Sequence, residues 1–306
     1  MTPFIRWAGV VVLASISIPL SAQWPAYVNP GMPRLPDGKP NLAAPAPRTP
    51  DGKPDLSGIW LNGRGGQPAR GQAAGAAGAP AASAPATGGR AAGAGAAPPV
   101  SFSDGPPVAT FRDVGANFKD GLPIRPLAAD IIKQRRAGNQ KDNPDALCLP
   151  MGFMQFHTHG QPRKIVQTPG LVVIMFEPNY GLRQIFTDGR SLPTSDALPW
   201  WYGYSVGKWD GDTLVVETVG LRDDGWLDIW GTPFGETTKV TERFRRPTYG
   251  TLEIDVTVDD AKFYTKPWTV RLNQRLMADG GELIEFVCNE NQKFDQYLRG
   301  DLKKKP

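Results

Sequence analysis

The chain has 306 residues, of which 35 are glycine and 31 are proline, so its ordered part is expected to be shorter than its full length. Its 9 tryptophans and 13 phenylalanines exclude a wholly disordered protein, because side chains of this size bury enough apolar area to offset the entropy lost on ordering. A formal net charge of +4 is too balanced for a nucleic-acid-binding domain, and no nucleic-acid partner is expected.

Residues 1–22 have the organisation of a secretory signal peptide. Arg6 precedes an apolar run over residues 7–20, and Ser21 and Ala22 supply small side chains before a cleavage point. The run is shorter than the ~20 residues that a membrane-spanning helix needs, and a retained anchor is the alternative. We therefore expect an exported protein, periplasmic or extracellular, with no transmembrane segment after the signal is removed.

Residues 23–56 are predicted to form a proline-rich arm. The arm contains an internal repeat, in which the Pro-Asp-Gly-Lys-Pro of residues 36–40 occurs again at residues 50–54. Aspartate that bonds its own backbone and glycine at positive φ both favour turns. The arm is therefore expected to be extended, punctuated by turns, and to lie on the domain. Residues 57–61, Ser-Gly-Ile-Trp-Leu, are predicted to form a strand that joins the core.

Residues 62–100 hold 15 alanines, 10 glycines and 5 prolines, with no aromatic and no acidic side chain. Such a segment cannot build a core, so it is predicted to be a disordered low-complexity linker. A β-rich globular domain is expected over residues 124–298, followed by a basic tail at residues 299–306. One short helix is predicted ahead of the strands, at residues 126–137, because proline opens it and Gly138 stands at its C-terminal cap.

From residue 163 onward the chain has the rhythm of strands and tight turns. In residues 251–258, four apolar side chains alternate with polar ones, which indicates a strand with one apolar face. The predicted strands cover residues 164–168, 171–177, 182–188, 202–209, 213–218, 239–245, 251–258, 268–276 and 281–288. Because hairpin turns connect them, we predict a mostly β fold, an antiparallel meander that closes into a β-barrel, with a β-sandwich as the alternative.

Cys148 and Cys288 are the two cysteines of the chain. In an exported protein they are predicted to form a disulfide, and a bridge over so long a loop could stabilise the fold by ~4 to 5 kcal/mol in the chain-entropy model. Two separate buried thiols are the alternative.

Long motifs lie at residues 50–60, Pro-Asp-Gly-Lys-Pro-Asp-Leu-Ser-Gly-Ile-Trp, and at residues 211–218, Gly-Asp-Thr-Leu-Val-Val-Glu-Thr. Shorter ones lie within residues 142–150, 165–170, 226–228, 240–246 and 264–269. Together they resemble an abundant family of exported bacterial proteins of unknown function. The likeness covers residues 50–61 and 124–292, and the alanine-rich and glycine-rich insertion departs from it. The resemblance implies export but brings no established activity.

Gly58-Ile59-Trp60 is similar, more loosely, to the first strand of lipocalin-type barrels. This likeness implies a lipocalin-like β-barrel in which Trp60 packs under a basic residue of the last strand, Arg271 or Arg275.

His157 and His159 are the only histidines. In an extended segment both imidazoles would face the same way, and with Glu177 they could ligate zinc, copper or iron. The alternative is a pair of histidines in a loop, and neither a metal nor another cofactor is predicted. For catalysis, the candidates are His157 or His159 acting with a carboxylate, Glu177 or Asp228.

Charged side chains alternate with apolar ones along several strands: Glu217, Glu242, Arg243, Arg245, Glu253, Asp255, Arg271 and Glu285. We expect them on the solvated outer face of the barrel, where cross-strand ion pairs contribute little. The alternative places some of them inside, where desolvation would shift their pKa values and prepare acid–base chemistry.

Aromatic side chains crowd into about thirty residues: Trp200, Trp201, Tyr202, Tyr204, Trp209, Trp226 and Trp230. They could line a groove for a sugar or an apolar ligand, or they could be core packing. The ligand-binding candidates are Trp201, Tyr204 and Trp226, at the mouth of the barrel.

Three functions follow from these patterns. The favoured hypothesis is an exported β-barrel that binds a small apolar or amphipathic molecule. The second is a cell-envelope hydrolase or lyase that uses His157 or His159, although no nucleophile elbow, metalloprotease motif, phosphate loop or dinucleotide fingerprint occurs in the sequence. The third is a structural envelope protein tied to a partner by its arm and linker. The oligomeric state is left open.

Overall fold

The computed structural model describes residues 28–63, 100–193, 198–279, 281–286 and 288. The predicted signal peptide, nearly all of the predicted linker and the basic tail lie outside the described residues.

Nine strands form one closed barrel. Their bounds are β1 Gly58–Asn62, β2 Arg163–Thr168, β3 Leu171–Phe176, β4 Leu182–Phe186, β5 Tyr204–Asp210, β6 Thr213–Val219, β7 Lys239–Thr248, β8 Thr251–Asp259 and β9 Trp268–Leu276. Two α-helices precede β2, α1 at Pro126–Ala137 and α2 at Phe153–Thr158, and 3-10 turns lie at Pro144–Leu147 and Pro178–Tyr180. The predicted β-barrel and the helix at residues 126–137 are confirmed, and the β-sandwich alternative is wrong.

The strands follow one another around the barrel in chain order, and β1 closes it by pairing with both β2 and β9. Residues 281–286 contain no strand, so the predicted strand at 281–288 is wrong. The reason is topological, because β1 occupies the edge of β9 that this segment would have needed.

One neighbouring pair departs from the antiparallel meander. β4 and β5 run parallel and share only two residue pairs, Ile185 with Ser205 and Phe186 with Val206. A parallel connection must carry the chain back along the length of the barrel before the next strand begins, and no hairpin turn can do this. The expectation that every connection is a hairpin is therefore wrong at this seam.

The barrel interior is filled by the apolar faces of the strands. Leu252, Ile254, Val256 and Val258 of β8 all point inward and are fully buried, as their alternation predicts. Every residue of α2 is also buried, and its Phe156 ring stacks on Phe176 of β3 with centroids 4.1 Å apart. The barrel is consequently a packed core, with α2 as part of it.

The arm attaches to the barrel through its repeat. Arg34 and Arg48 hold equivalent positions in the two copies, and each donates to the carbonyl of its own copy's glycine. Arg34 also binds Asp279, just after β9, and Arg48 binds Asp212, in the turn between β5 and β6. Both copies end in a buried leucine, at Leu42 and Leu56. The repeat is thus a structural unit used twice.

Trp60 is fully buried at the start of the barrel, and the guanidinium that lies over its ring belongs to Arg246 of β7, 4.9 Å from the ring centroid. The expectation that Arg271 or Arg275 would cover Trp60 is wrong. Arg271 points to the outer side of β9, where it binds Asp255 and the carbonyl of Ser103.

Cys148 and Cys288 form a disulfide with a Cα to Cα distance of 5.5 Å, which confirms the predicted pairing. In the described part of the chain, no helix combines the length and the apolar character needed to cross a membrane.

Candidate functional site

A cleft of about 200 Å³ opens where β4 and β5 begin. The seam holds only two residue pairs between β4 and β5, so the wall is not closed by a full ladder of backbone hydrogen bonds. The cleft is lined by Leu182, Arg183, Gln184, Phe186, Trp200, Trp201, Tyr202, Gly203, Tyr204 and Ser205. Six of these ten residues are consecutive, residues 200–205, and lead into the start of β5.

The walls of the cleft are aromatic. Tyr204 contacts Phe186 and Trp200, with ring centroids 5.2 Å and 5.6 Å apart. Trp200 is 50% exposed and Trp201 is half-buried, so both offer ring surface to a bound molecule. Flat rings with a polar edge suit amphipathic ligands.

Two guanidinium groups stack on these rings, and both are already neutralised. Arg190 lies 3.8 Å from the Phe186 ring centroid and binds both carboxylate oxygens of Asp188. Arg222 lies 4.4 Å from the Trp201 ring centroid and binds Asp224. The rim of the cleft therefore carries no uncompensated positive charge from these residues.

The floor of the cleft belongs to a buried polar network inside the barrel. Arg183 donates to both carboxylate oxygens of Glu242 on β7, with Nη1 2.9 Å from Oε1, and Nη2 also donates to Thr218 at 2.9 Å. Ser205 accepts from Arg183 and lies 2.9 Å from the Thr218 hydroxyl. Every ionised group here has an opposite partner, which burial requires.

Glu242 corrects the expectation that the alternating charges all face solvent. It is fully buried and points inward, whereas its neighbours Thr241 and Arg243 point outward. The inward position of Glu242 could have been predicted from the sequence, because Glu242 alternates in phase with the buried Val240 and Phe244. What sequence could not provide was the partner, Arg183, which is 59 residues away.

His157 stands beside this network. Its Nε2 is 3.6 Å from Oε1 of Glu242, and within the described residues neither ring nitrogen makes a hydrogen bond. Burial, with the nearby charges of Arg183 and Arg163, holds the pKa of His157 well below its ordinary value, so the ring is neutral near pH 7.

Arg163 of β2 holds the α2 end in place. It donates to the carbonyls of His157, His159 and Gln161 and to the side chain of Gln274. Burial lowers its pKa to about 9, but four acceptors compensate its charge. The position of His157 is therefore set by hydrogen bonds to its backbone.

The two histidines do not share a face. The expectation of an extended segment is wrong, because His157 lies within α2 and His159 follows its end. The Nδ1 of His159 accepts from the Gln161 amide at 3.1 Å, and its ring meets Phe111 edge-on. Glu177 accepts from Gln161 and from the amide of Ile284. Among the described residues, no three histidine, cysteine or acidic side chains gather as a metal site would require.

Asp228 and Trp226 lie away from the cleft lining. Asp228 is fully buried and accepts from the amide of Val114 and from the amide and hydroxyl of Thr232, so its oxygens serve local structure. Trp226 is buried under Arg135, whose guanidinium is 4.5 Å from the ring centroid. Of the three ligand-binding candidates, the structure brings Trp201 and Tyr204 to the cleft but not Trp226.

In comparisons with known proteins, no protein-family model, curated protein or solved structure matches the chain. The resemblance to exported bacterial proteins stays a prediction.

Proposed function

We propose that this protein is an exported β-barrel that binds a small apolar or amphipathic molecule in the cleft between β4 and β5. The observation that carries the proposal is the cleft itself, about 200 Å³ in volume, with Trp200, Trp201, Tyr202 and Tyr204 around it. An apolar concavity with a few convergent polar groups is the usual form of a small-molecule site.

The packed barrel interior supports this location over the barrel mouth that we expected. Side chains of the strands and of α2 occupy the interior, so the ligand would bind at the seam. Exposed rings at the cleft also lose unfavourable contact with water when an apolar molecule covers them.

The proposal is tested by equilibrium dialysis with 2-acetylnaphthalene, an uncharged amphipathic probe. Trp201→Ala is expected to weaken binding at least tenfold, because aromatic anchors dominate sites of this kind. Trp230→Ala is the matched control. Trp230 also lies under a guanidinium, that of Arg136 at 3.9 Å, but it does not line the cleft. The affinity of the Trp230→Ala variant for the probe should therefore stay within twofold of wild type.

No saturable binding by the wild-type protein, or equal affinities for wild type and Trp201→Ala, would contradict the proposal. Circular dichroism of both variants shows whether each still folds.

The hydrolase or lyase alternative receives less support from the geometry. His157 is close to Glu242, yet it is only 1% exposed, and within the described residues its ring nitrogens contact no hydroxyl nucleophile. A base of this kind needs hydrogen-bond reach to its substrate. We therefore place ligand binding first.

We also propose that the protein works outside the cytoplasm. The Cys148 to Cys288 disulfide supports this, because such bonds persist in oxidising compartments. Cell fractionation with thiol alkylation tests it. Recovery from the cytoplasm with two alkylatable thiols would contradict it.

A further inference from the structure

We propose that the gap between β2 and β9 accepts an N-terminal module, residues 28–63, from a second copy of the chain as well as from its own. Two copies can then assemble by exchanging their modules. The module contains the arm repeat and β1. Residues 64–99 are its only covalent connection to the other eight strands, because both cysteines lie beyond them. The inference does not depend on which ligand the cleft binds.

The gap is flanked by two strand edges that β1 pairs with. On one side Ile59 lies opposite Lys164 of β2, and on the other side Leu61 lies opposite Arg275 of β9. An unpaired strand edge is a template for an incoming strand, and here two such edges face the same gap. The gap therefore has the form of a strand-acceptor site, and its occupant in a single copy is β1.

The module is anchored by buried apolar side chains. Trp60 and Leu56 are fully buried and Leu42 is 2% exposed. Arg246 of β7 lies over the Trp60 ring and also donates to the backbone carbonyls of Asp55 and Ser57. These contacts are all noncovalent, so the module is held by packing and hydrogen bonds of the kind that bind a peptide.

Gln167 of β2 reads the backbone of the module. Its side-chain oxygen accepts from the amide of Leu56 at 2.9 Å, and its side-chain nitrogen donates to the carbonyl of Pro54 at 3.2 Å. Its own amide donates to the hydroxyl of Ser57 at 3.1 Å. Three polar contacts from one residue fix the register of the module, whichever copy supplies it.

The two ends of the connection lie side by side. Gly63 donates to the carbonyl of Asn273, and a β-carbon on Gly63 would be 2.6 Å from the Phe102 ring. The 36 residues numbered 64–99 are therefore far more than this short distance requires. Fully extended, a segment of this length spans up to ~120 Å, which is enough to reach the gap of a neighbouring copy.

An exchanged dimer keeps the contacts between module and barrel that a single copy makes, which is why exchange of an identical element is a low-cost route to dimers. The copy's own module competes through its tether. For linkers of alanine-rich and glycine-rich composition, the effective concentration of a tethered partner is on the order of 1 mM. At a protein concentration of about 0.1 mM, about 10% of the chains should therefore be in exchanged dimers.

Two single-cysteine variants of the full chain test the exchange. Arg48 of the module and Asp212 in the turn between β5 and β6 form an ion pair of 2.6 Å, so Arg48→Cys in one copy and Asp212→Cys in another mark the module and the barrel. The two variants are mixed in equal amounts, unfolded in urea at pH 5 with the native disulfide intact, and refolded by dialysis. Bismaleimidoethane then joins the two new thiols across chains only where they are neighbours.

Arg243→Cys mixed with Asp210→Cys is the matched control. This ion pair is 3.0 Å long and is exposed to a similar degree, but both residues belong to the barrel strands β7 and β5. Exchange of the module leaves them in their own copy. The control therefore measures cross-linking by random encounter alone.

We expect about 5% of the chains to be cross-linked in the Arg48→Cys and Asp212→Cys mixture at about 0.1 mM, because half of the exchanged dimers join unlike variants. The yield should fall about tenfold when refolding takes place at about 10 μM. A yield no greater than that of the control, or one that does not change with concentration, would overturn the proposal. A chain that carries both Arg48→Cys and Asp212→Cys should cross-link within itself, and absence of this link would also overturn the proposal.

Cleavage of the connection tests whether the module binds without its tether. A site-specific protease sequence is inserted after Ala82 in the full chain, and the folded protein is cut. The two pieces should elute together in gel filtration at about 10 μM, since the Cys148 to Cys288 disulfide lies wholly within the larger piece and cannot hold them together. Separation of the pieces would overturn the noncovalent docking on which exchange depends.

Discussion

The buried pair of Arg183 and Glu242 should behave as one unit in a double-mutant cycle. Their side chains are 2% and 0% exposed, so both charges are shielded from water in the folded protein. Glu242→Leu leaves the Arg183 guanidinium with only the hydroxyls of Ser205 and Thr218. Removal of one partner of a buried pair costs about 3 to 5 kcal/mol, and we expect a loss of this size.

The reverse variant should be less damaging, because His157 can replace part of the lost charge. Arg183→Met leaves Glu242 with the His157 ring at 3.6 Å, and it removes a positive charge that lowers the pKa of His157. Protonation of His157 then becomes easier, so the cost of Arg183→Met should shrink as the pH falls from 7 to 5.

The double variant Arg183→Met with Glu242→Leu should cost much less than the sum of the two single variants. Replacing both charges by apolar groups removes the unpaired ion, and a coupling free energy of at least ~2 kcal/mol is expected. Urea unfolding followed by circular dichroism, with the disulfide intact, measures all four free energies.

Arg243 and Asp210 supply the control cycle on the outer face of the barrel. Their ion pair is 3.0 Å long but the side chains are 46% and 70% exposed, so a coupling of only about 0.2 to 1 kcal/mol is expected. If the free-energy costs of Arg183→Met and Glu242→Leu were additive, the coupling free energy would be no larger than that of the control. This result would refute the buried network.

Two other predictions concern pH and the disulfide. Burial lowers the pKa of His159 to about 4, so the unfolded chain, with an ordinary pKa near 6.5, binds this proton first and stability falls as the pH falls. Between pH 7 and 5, His159 should contribute about 2 kcal/mol to the loss of stability. Urea titrations of His159→Gln should show a loss that is smaller by this amount. An unchanged loss would contradict the role given to His159. Replacing Cys148 and Cys288 by serine should lower the free energy of unfolding by about 2 to 5 kcal/mol, measured by thermal and urea unfolding against the oxidised protein, and a change near zero would be the contrary result.

Part of the site could be predicted from the order of the residues. The aromatic cluster pointed to Trp201 and Tyr204, which line the cleft, because consecutive aromatic residues before a strand remain close in space. Trp226 belonged to the same cluster but is separated from it by the β5–β6 hairpin and the loop that follows, and it packs under α1 instead. Closeness along the chain is an unreliable guide once a turn intervenes.

The sequence by itself determined the elements whose signals are local. Alternation in residues 251–258 placed β8 and its inward face, turn residues separated most neighbouring strands, and two cysteines in a chain with a predicted export signal indicated the disulfide. These signals are local because side chains alternate along a strand and tight turns demand particular residues.

Only the tertiary structure decided which distant segments of the chain pair with one another. Closure of the barrel by β1 and β9, the parallel seam of β4 and β5, and the inward position of Glu242 all depend on pairings far apart in the chain. The buried carboxylate of Glu242 is compensated by Arg183 from a distant strand, and the cleft lies where β4 and β5 share only two residue pairs. Both conditions are set by the closed barrel, since no short window of sequence contains both partners.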